Sequence, residues 1–161
     1  MVSDALTRAE TVARAVPDPE LPFLTIGELG LVRGATEHDG FVEVAITPTY
    51  TGCPATAMIA GEVAAALARV GLSNARVRVV LSPPWTTDWL SDLAREKLAR
   101  AGIVPPAKGA ARPALFEPAP LPCPRCGSAD TERLSAFGST PCKALYRCHA
   151  CAEPFEAFKC L

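Results

Sequence analysis

The chain has 161 residues, 49% of them hydrophobic and 20% charged, with a net charge of −1. That balance gives no general attraction to nucleic acid or to an anionic membrane, and no stretch approaches the roughly 20 apolar residues that span a bilayer. The opening Met1–Arg8 carries no long apolar core, so no secretory signal is expected, and seven cysteines then read as thiols and metal ligands of a reducing cytoplasm rather than as a disulfide framework.

The first predicted element is a helix from Asp4 to Ala15, capped by Ser3 or Asp4 and stopped by Pro17. Strands are expected at Gly30–Thr36 and Phe41–Thr47, joined by the tight-turn pair Asp39-Gly40. Pro54–Val70 is Ala-rich and precedes Gly71, which predicts a helix with a glycine stop. Arg76–Leu81 alternates charge with valine and should be a half-exposed strand. Thr87–Ala101 reads as a last helix, with Gly102 beyond its end. Together these predict an α+β class: a small α/β sandwich over residues 1–104, with its helices on one sheet face.

Prolines at 105, 106, 113, 118, 120 and 122 forbid a regular helix or central strand, so residues 105–121 read as a semi-rigid linker. Residues 122–161 are too few for an apolar core without a metal. Extended pieces at Ala144–Arg147 and Phe155–Lys159 fit a metal-held β-ribbon. Arg125, Arg133, Lys143, Arg147 and Lys159 are balanced against Asp130, Glu132, Glu153 and Glu156, unlike the lopsided basic face of a nucleic-acid-binding ribbon.

The strongest chemical signal lies in that tail. Cys123 and Cys126 form one C-x2-C pair, and Cys148 and Cys151 form another. Each pair turns two thiolates towards one ion, and two pairs complete the all-sulfur shell of a structural Zn²⁺ site. A second signal is Thr47-Pro-Thr-Tyr-Thr-Gly-Cys-Pro54. Cys53 is expected at the N-cap of a helix whose first residue is Pro54, facing unpaired N–H groups that favour a thiolate. Gly52 permits close backbone approach, and Thr49 and Thr51 add hydroxyls. Such a thiol can attack, bind a soft metal or hold a cluster edge; it can equally be a small residue that only caps a helix.

Asp18-Pro-Glu-Leu-Pro22 sets Asp18 and Glu20 in a stiff loop. They can take a hard cation, bind a partner or poise a neighbour, or simply be the solvated charges of a helix-ending loop. In Ser82-Pro-Pro-Trp-Thr-Thr-Asp-Trp89, Thr86 or Thr87 is expected to cap the following helix, with Asp88 complementing its dipole. Trp85 and Trp89 are core anchors or a partner surface, with the core the default for at least one. His38 and His149 are expected at the surface, and no catalytic triad, Walker loop or dinucleotide fingerprint is present.

Asp18-Pro-Glu-Leu-Pro22, Thr49-Tyr-Thr-Gly-Cys-Pro54 and Pro83-Pro-Trp85 resemble the signature segments of the MIP18-like domain, over roughly residues 5–104. That family is associated with iron–sulfur cluster assembly and transfer. Phe137-Gly-Ser-Thr-Pro-Cys-Lys-Ala-Leu-Tyr-Arg-Cys148, Glu153-Pro-Phe and Phe158-Lys-Cys160 resemble the zinc-ribbon tail of the phenylacetyl-CoA epoxidase D-subunit family, as does Thr86-Thr-Asp-Trp89. The resemblance implies an accessory, non-catalytic component of a multicomponent oxygenase in phenylacetate catabolism. Its implied partners are a di-iron oxygenase and an iron–sulfur reductase. Cys53 inherits a cluster-handling role and Asp18 and Glu20 the acidic motif beside it, with Thr49 and Thr51 in the same loop. One cysteine cannot saturate a transient iron–sulfur cluster, so bound cluster implies a homodimer, or completion by a client or small thiol. A structural adaptor and a zinc-ribbon nucleic-acid regulator are the competing readings; near-neutral charge opposes the second. Cys142 and Cys160 match the family tail and stand outside the zinc shell, as buried thiols, an oxidation-formed disulfide or ligands of a second site.

Overall fold

The computed structural model describes residues 4–109 and 121–160, and the chain divides into two compact units, Met1–Trp85 and Thr86–Leu161. Among the described residues no helix is long and apolar enough to cross a membrane.

The first unit opens with helix α1 (Asp4–Arg14). Its buried Ala9 and Ala13 lie four residues apart, on one face. Strands β1 (Val32–His38) and β2 (Phe41–Ile46) pair antiparallel across Asp39-Gly40, where Gly40 takes φ 86°. Along β2 the burial alternates, with Val42, Val44 and Ile46 inside, as one covered sheet face requires. Helix α2 (Thr56–Arg69) buries Ile59, Val63, Ala66 and Leu67 and leads into β3 (Arg76–Val79), which runs parallel to β2. A parallel neighbour needs a crossover, and α2 supplies it. The sheet order is β1-β2-β3, with α1 packed on β1, β2 and α2, and α2 on β3.

Much of the core comes from a segment without regular structure. Leu21, Leu24, Ile26, Leu29 and Leu31 are all buried. Their backbone is satisfied locally: Asp18 N–H donates to the Leu24 carbonyl at 2.9 Å, Ile26 N–H to Val16 at 2.9 Å and Thr47 N–H to Leu31 at 2.8 Å. Gly27 lets this segment reach α1, since a Cβ there would lie 2.6 Å from the Arg14 carbonyl oxygen. Trp85 closes the unit as a core anchor, buried and donating its indole N–H to the Leu29 carbonyl at 2.8 Å.

The second unit begins earlier in sequence than the ribbon expectation placed it. A 3-10 turn at Thr87–Trp89 precedes α3 (Asp92–Arg100). The cap of α3 is Ser91, whose hydroxyl accepts the Ala94 N–H at 3.0 Å, and not Thr86 or Thr87. Extended backbone at Leu90 and Ser91 breaks the expected Thr87–Ala101 helix in two. Strand β4 (Ile103–Val104) then pairs parallel with β7 (Pro154–Phe158). With β5 (Thr131–Ser135) and β6 (Lys143–Cys148) the order is β4-β7-β6-β5. Ile103 and Val104 thus pair with the ribbon sheet and α3 falls in the second unit, where the expectation ended the first domain at 104. A two-residue strand shows no alternation, so periodicity could not assign it to a sheet. Of the expected linker, residues 110–120 lie outside the described residues.

Replacing Trp85 by Phe leaves the Leu29 carbonyl buried without its donor. Trp85→Phe is expected to cost the first unit about 1–3 kcal/mol, read as a lower urea midpoint at unchanged slope.

Candidate metal centre and thiol loop

Cys123, Cys126, Cys148 and Cys151 converge, with their four sulfurs within 4.8 Å of one another. Backbone turns aim them. In the first, Gly127 N–H donates to the Cys123 carbonyl at 2.9 Å, and Cys123 N–H to the Ser128 carbonyl at 2.9 Å. In the second, Cys148 closes β6 and donates its N–H to the Glu153 carbonyl at 3.0 Å, while Ala152 turns the chain at φ 61°. An Arg125–Glu153 ion pair braces one turn against the other.

The sulfur spacing fits a tetrahedral metal. Cys123 and Cys151 lie 3.7 Å apart and Cys126 and Cys148 3.6 Å apart, where metal–sulfur bonds of about 2.3 Å would place them about 3.8 Å apart. The protonation chemistry fits too. Burial pushes the Cys123 thiol up, but the Cys126 and Arg125 N–H groups and neighbouring thiols outweigh it and bring it down to about 7. The Glu153 N–H favours a Cys151 thiolate, yet burial and three facing sulfurs push that thiol up to about 12. Four crowded thiols cannot all ionise unless a cation shares their charge. Cys123 and Cys148 are buried with Phe155, against Val104 and Tyr146, so the centre is continuous with β4.

Cys142 and Cys160 stand apart from this group. Cys142 is buried, its sulfur 3.1 Å from the Thr140 hydroxyl, whereas Cys160 is exposed, and both are free thiols. Lys159 N–H donates to the Cys142 carbonyl at 2.9 Å, extending the β6–β7 register so that Cys142 faces Lys159 rather than Cys160. Among the described residues the four tail cysteines are the one cluster of three or more His, Cys, Asp or Glu able to share an ion, and neither Cys142 nor Cys160 belongs to it.

The loop between β2 and α2 carries Cys53. Its N–H donates to the Tyr50 carbonyl at 3.2 Å, and its own carbonyl accepts the Thr56 N–H at 3.1 Å. Cys53 is therefore not the N-cap. The first α-helical acceptor is Ala55, bonded by Ile59 N–H at 2.9 Å, and no side chain caps the helix. Pro54 and Ala55 lie in a tighter i→i+3 turn before the α pitch begins. Gly52, at φ 85°, makes the preceding turn. Cys53 and Thr49 are partly exposed and Thr51 is exposed. Among the described residues Asp18, Glu20 and Cys53 do not form a group of three ligands able to share an ion.

Asp18 is buried, and its Oδ1 accepts N–H from Glu20 at 2.9 Å and Leu21 at 2.8 Å. It shapes its own loop in the manner of an Asx turn, while Glu20 is partly exposed. Burial raises the Asp18 pKa against the opposing pull of the Leu21 and Glu20 N–H groups. Sequence patterns did not signal Lys143, which is buried and paired with Glu156 at 3.0 Å. A lysine beginning a strand carries no sign that it points inward.

Metal binding needs deprotonated sulfur, so affinity in a chelator competition should fall steadily as pH drops, since Cys126 and Cys151 hold their protons above the ordinary thiol range. Cys126→Ser should lose the metal. Stripping it should abolish amide-exchange protection in β4 together with β5–β7 and leave β1–β3 protected. For Asp18, the folded state holds its proton to higher pH than the unfolded chain. Its contribution to stability is full below the ordinary aspartate value of about 3.9 and is lost as pH rises through the raised folded value. Asp18→Asn keeps the oxygen acceptor without the charge. Its urea midpoint should gain on the parent's through that window and stay level above it.

Residues 7–79 match the family described as "Iron-sulfur cluster assembly protein", and residues 108–159 the family described as "PaaD zinc beta ribbon domain". The chain is 48% identical to the D subunit of 1,2-phenylacetyl-CoA epoxidase from Escherichia coli (strain K12), over 91% of this chain and 87% of that protein. It is 39% identical to the Fe-S protein maturation auxiliary factor YitW of Bacillus subtilis (strain 168), over 50% of this chain and 79% of the relative. A crystal structure of a domain of unknown function, DUF59, from Bacillus anthracis aligns at 32% identity and a TM-score of 0.53, covering 58% of this chain and 91% of that one. An iron–sulfur assembly domain followed by a four-cysteine ribbon, on a chain that matches one relative almost end to end, makes this a member of the phenylacetyl-CoA epoxidase D-subunit family.

Proposed function

We propose that this chain is a non-catalytic accessory subunit of a phenylacetyl-CoA epoxidase and assists iron–sulfur or metal maturation of that cytoplasmic complex. The observation that carries the reading is the assembly-family match across residues 7–79, which contains both the Asp18 loop and Cys53. Relatives of that half named as Fe-S maturation factors support it. The tail cysteines would hold a Zn²⁺ ion, which when bound cross-links the ribbon. The partners are then the di-iron oxygenase and iron–sulfur reductase components of the complex.

In this reading the cluster or iron is cargo. Cys53 offers it one thiolate from a partly exposed loop, and the Thr49 and Thr51 hydroxyls can donate to it or to a client side chain. One thiol leaves most of a cluster's ligand positions to a client, a small thiol or a second copy of the chain, which suits release better than storage. Asp18 acts as a positioning residue that holds the acidic loop in shape, with Glu20 carried on the same loop.

The test compares oxygenase made in cells carrying the native chain, Cys53→Ala or no chain, assayed for iron, flavin and turnover. Cys53→Ala should fold normally, because the change is small and sits in a turn. It should nevertheless lower iron content in the partners to the level seen without the chain. Normal iron content with Cys53→Ala would sink the carrier reading. Normal iron with lost turnover when the chain is absent would favour a structural adaptor.

A further inference from the structure

The ribbon holds one large aromatic side chain rigidly in solvent. Phe137 is 64% exposed, and Leu134, three residues earlier, is 48% exposed. The loop that follows is clamped. Gly138 N–H donates to the Lys143 carbonyl at 2.7 Å. The buried Lys143 ammonium donates to the Ser139 hydroxyl at 2.6 Å and to Glu156 at 3.0 Å. Glu156 also accepts the Ser139 N–H and hydroxyl. Gly138 packs so closely that a Cβ would meet the Glu156 carboxylate. A buried lysine–carboxylate pair adds little net stability but fixes position. Here it fixes the base of an exposed phenyl ring.

A cation lies against the ring. The Lys159 ammonium lies over it at 4.1 Å from the centroid and donates to the Pro141 carbonyl at 2.7 Å. Among the described residues Lys159 has no carboxylate partner. An exposed aromatic anchor on a clamped loop, with a cation against its face, is suited to apolar contact at the centre and carboxylates at the rim.

We infer that the Phe137 loop is a docking surface for an acidic segment of another protein that carries an aromatic or leucine side chain. Single-stranded nucleic acid would use similar side chains, but it needs several stacking rings on a basic groove. This surface offers one ring on a ribbon where Arg125, Arg133, Lys143, Arg147 and Lys159 are nearly balanced by Asp130, Glu132, Glu153 and Glu156. The inference does not depend on any chemistry at Cys53 and goes beyond the maturation reading.

The test selects a peptide display library on the metal-loaded full chain and measures the enriched peptide by fluorescence anisotropy. Peptides with aspartate or glutamate flanking an aromatic or leucine are expected. Phe137→Ala and Lys159→Glu should each weaken binding about tenfold or more, as should added salt in part. Phe23→Ala, an exposed ring in the first unit, should change nothing. Metal content and unfolding midpoint should stay unchanged in Phe137→Ala, because the ring is in solvent; if that variant misfolds, Lys159→Glu carries the test. The inference is overturned by no enrichment, by basic consensus peptides, or by binding that Phe137→Ala retains. It is equally overturned by oligothymidylate binding that Phe137→Ala abolishes, or by a dimer of the chain that the same variant dissolves.

Discussion

Four sulfurs within 4.8 Å of one another are the constraint on which the second unit rests. As thiols they are small hydrophobes with weak hydrogen bonds; as thiolates they repel. Only a shared cation makes the cluster favourable, and its binding energy then substitutes for a core that so short a segment cannot build. Phe155 is buried with two of the cluster's members, Cys123 and Cys148, and Val104 and Tyr146 pack against them. Because Val104 belongs to β4, the cross-link also secures a strand that comes before the proline-rich stretch.

The first unit solves its stability problem differently. It has a three-stranded sheet and two helices, but a large share of its buried side chains sit on the irregular Leu21–Leu31 segment. Irregular backbone is tolerated inside only when its polar groups are paired. Asp18 supplies two of those pairings and Trp85 another. The same acidic loop that reads as a functional motif is therefore also a structural device, shaped by Asp18. Cys53 sits in a separate tight turn, so the loop that presents the thiol and the loop that presents the acids are each stabilised from within.

Residue patterns revealed much of this. The Asp39-Gly40 turn pair gave the β1–β2 hairpin, alanine content with a glycine stop gave α2, and matched C-x2-C spacing gave the metal centre. What escaped was tertiary. The start of α2 moved to Thr56 because Pro54 and Ala55 entered a tighter turn, and the cap of α3 moved to Ser91 because Thr87 began a 3-10 turn instead. The pairing of Ile103–Val104 with β7 could not be seen in two residues that lie far in sequence from their partners, Glu156 and Ala157. The inward lysine at 143 was invisible because its counter-charge, Glu156, lies on another strand. Local signals define turns and helices well; they say little about which distant strand completes a sheet.

The parallel pairing of β4 with β7 has a consequence for how the chain could be divided. A ribbon cut out after the first prolines would lose its outer strand and bare the backbone edge of β7, a row of unpaired N–H and carbonyl groups that invites pairing between molecules. The portable module is therefore the segment that carries its own edge protector, from the Thr87–Trp89 turn onward. In that sense α3 and β4 act as a cover sewn onto the ribbon, keeping a metal-held sheet from templating its own aggregation.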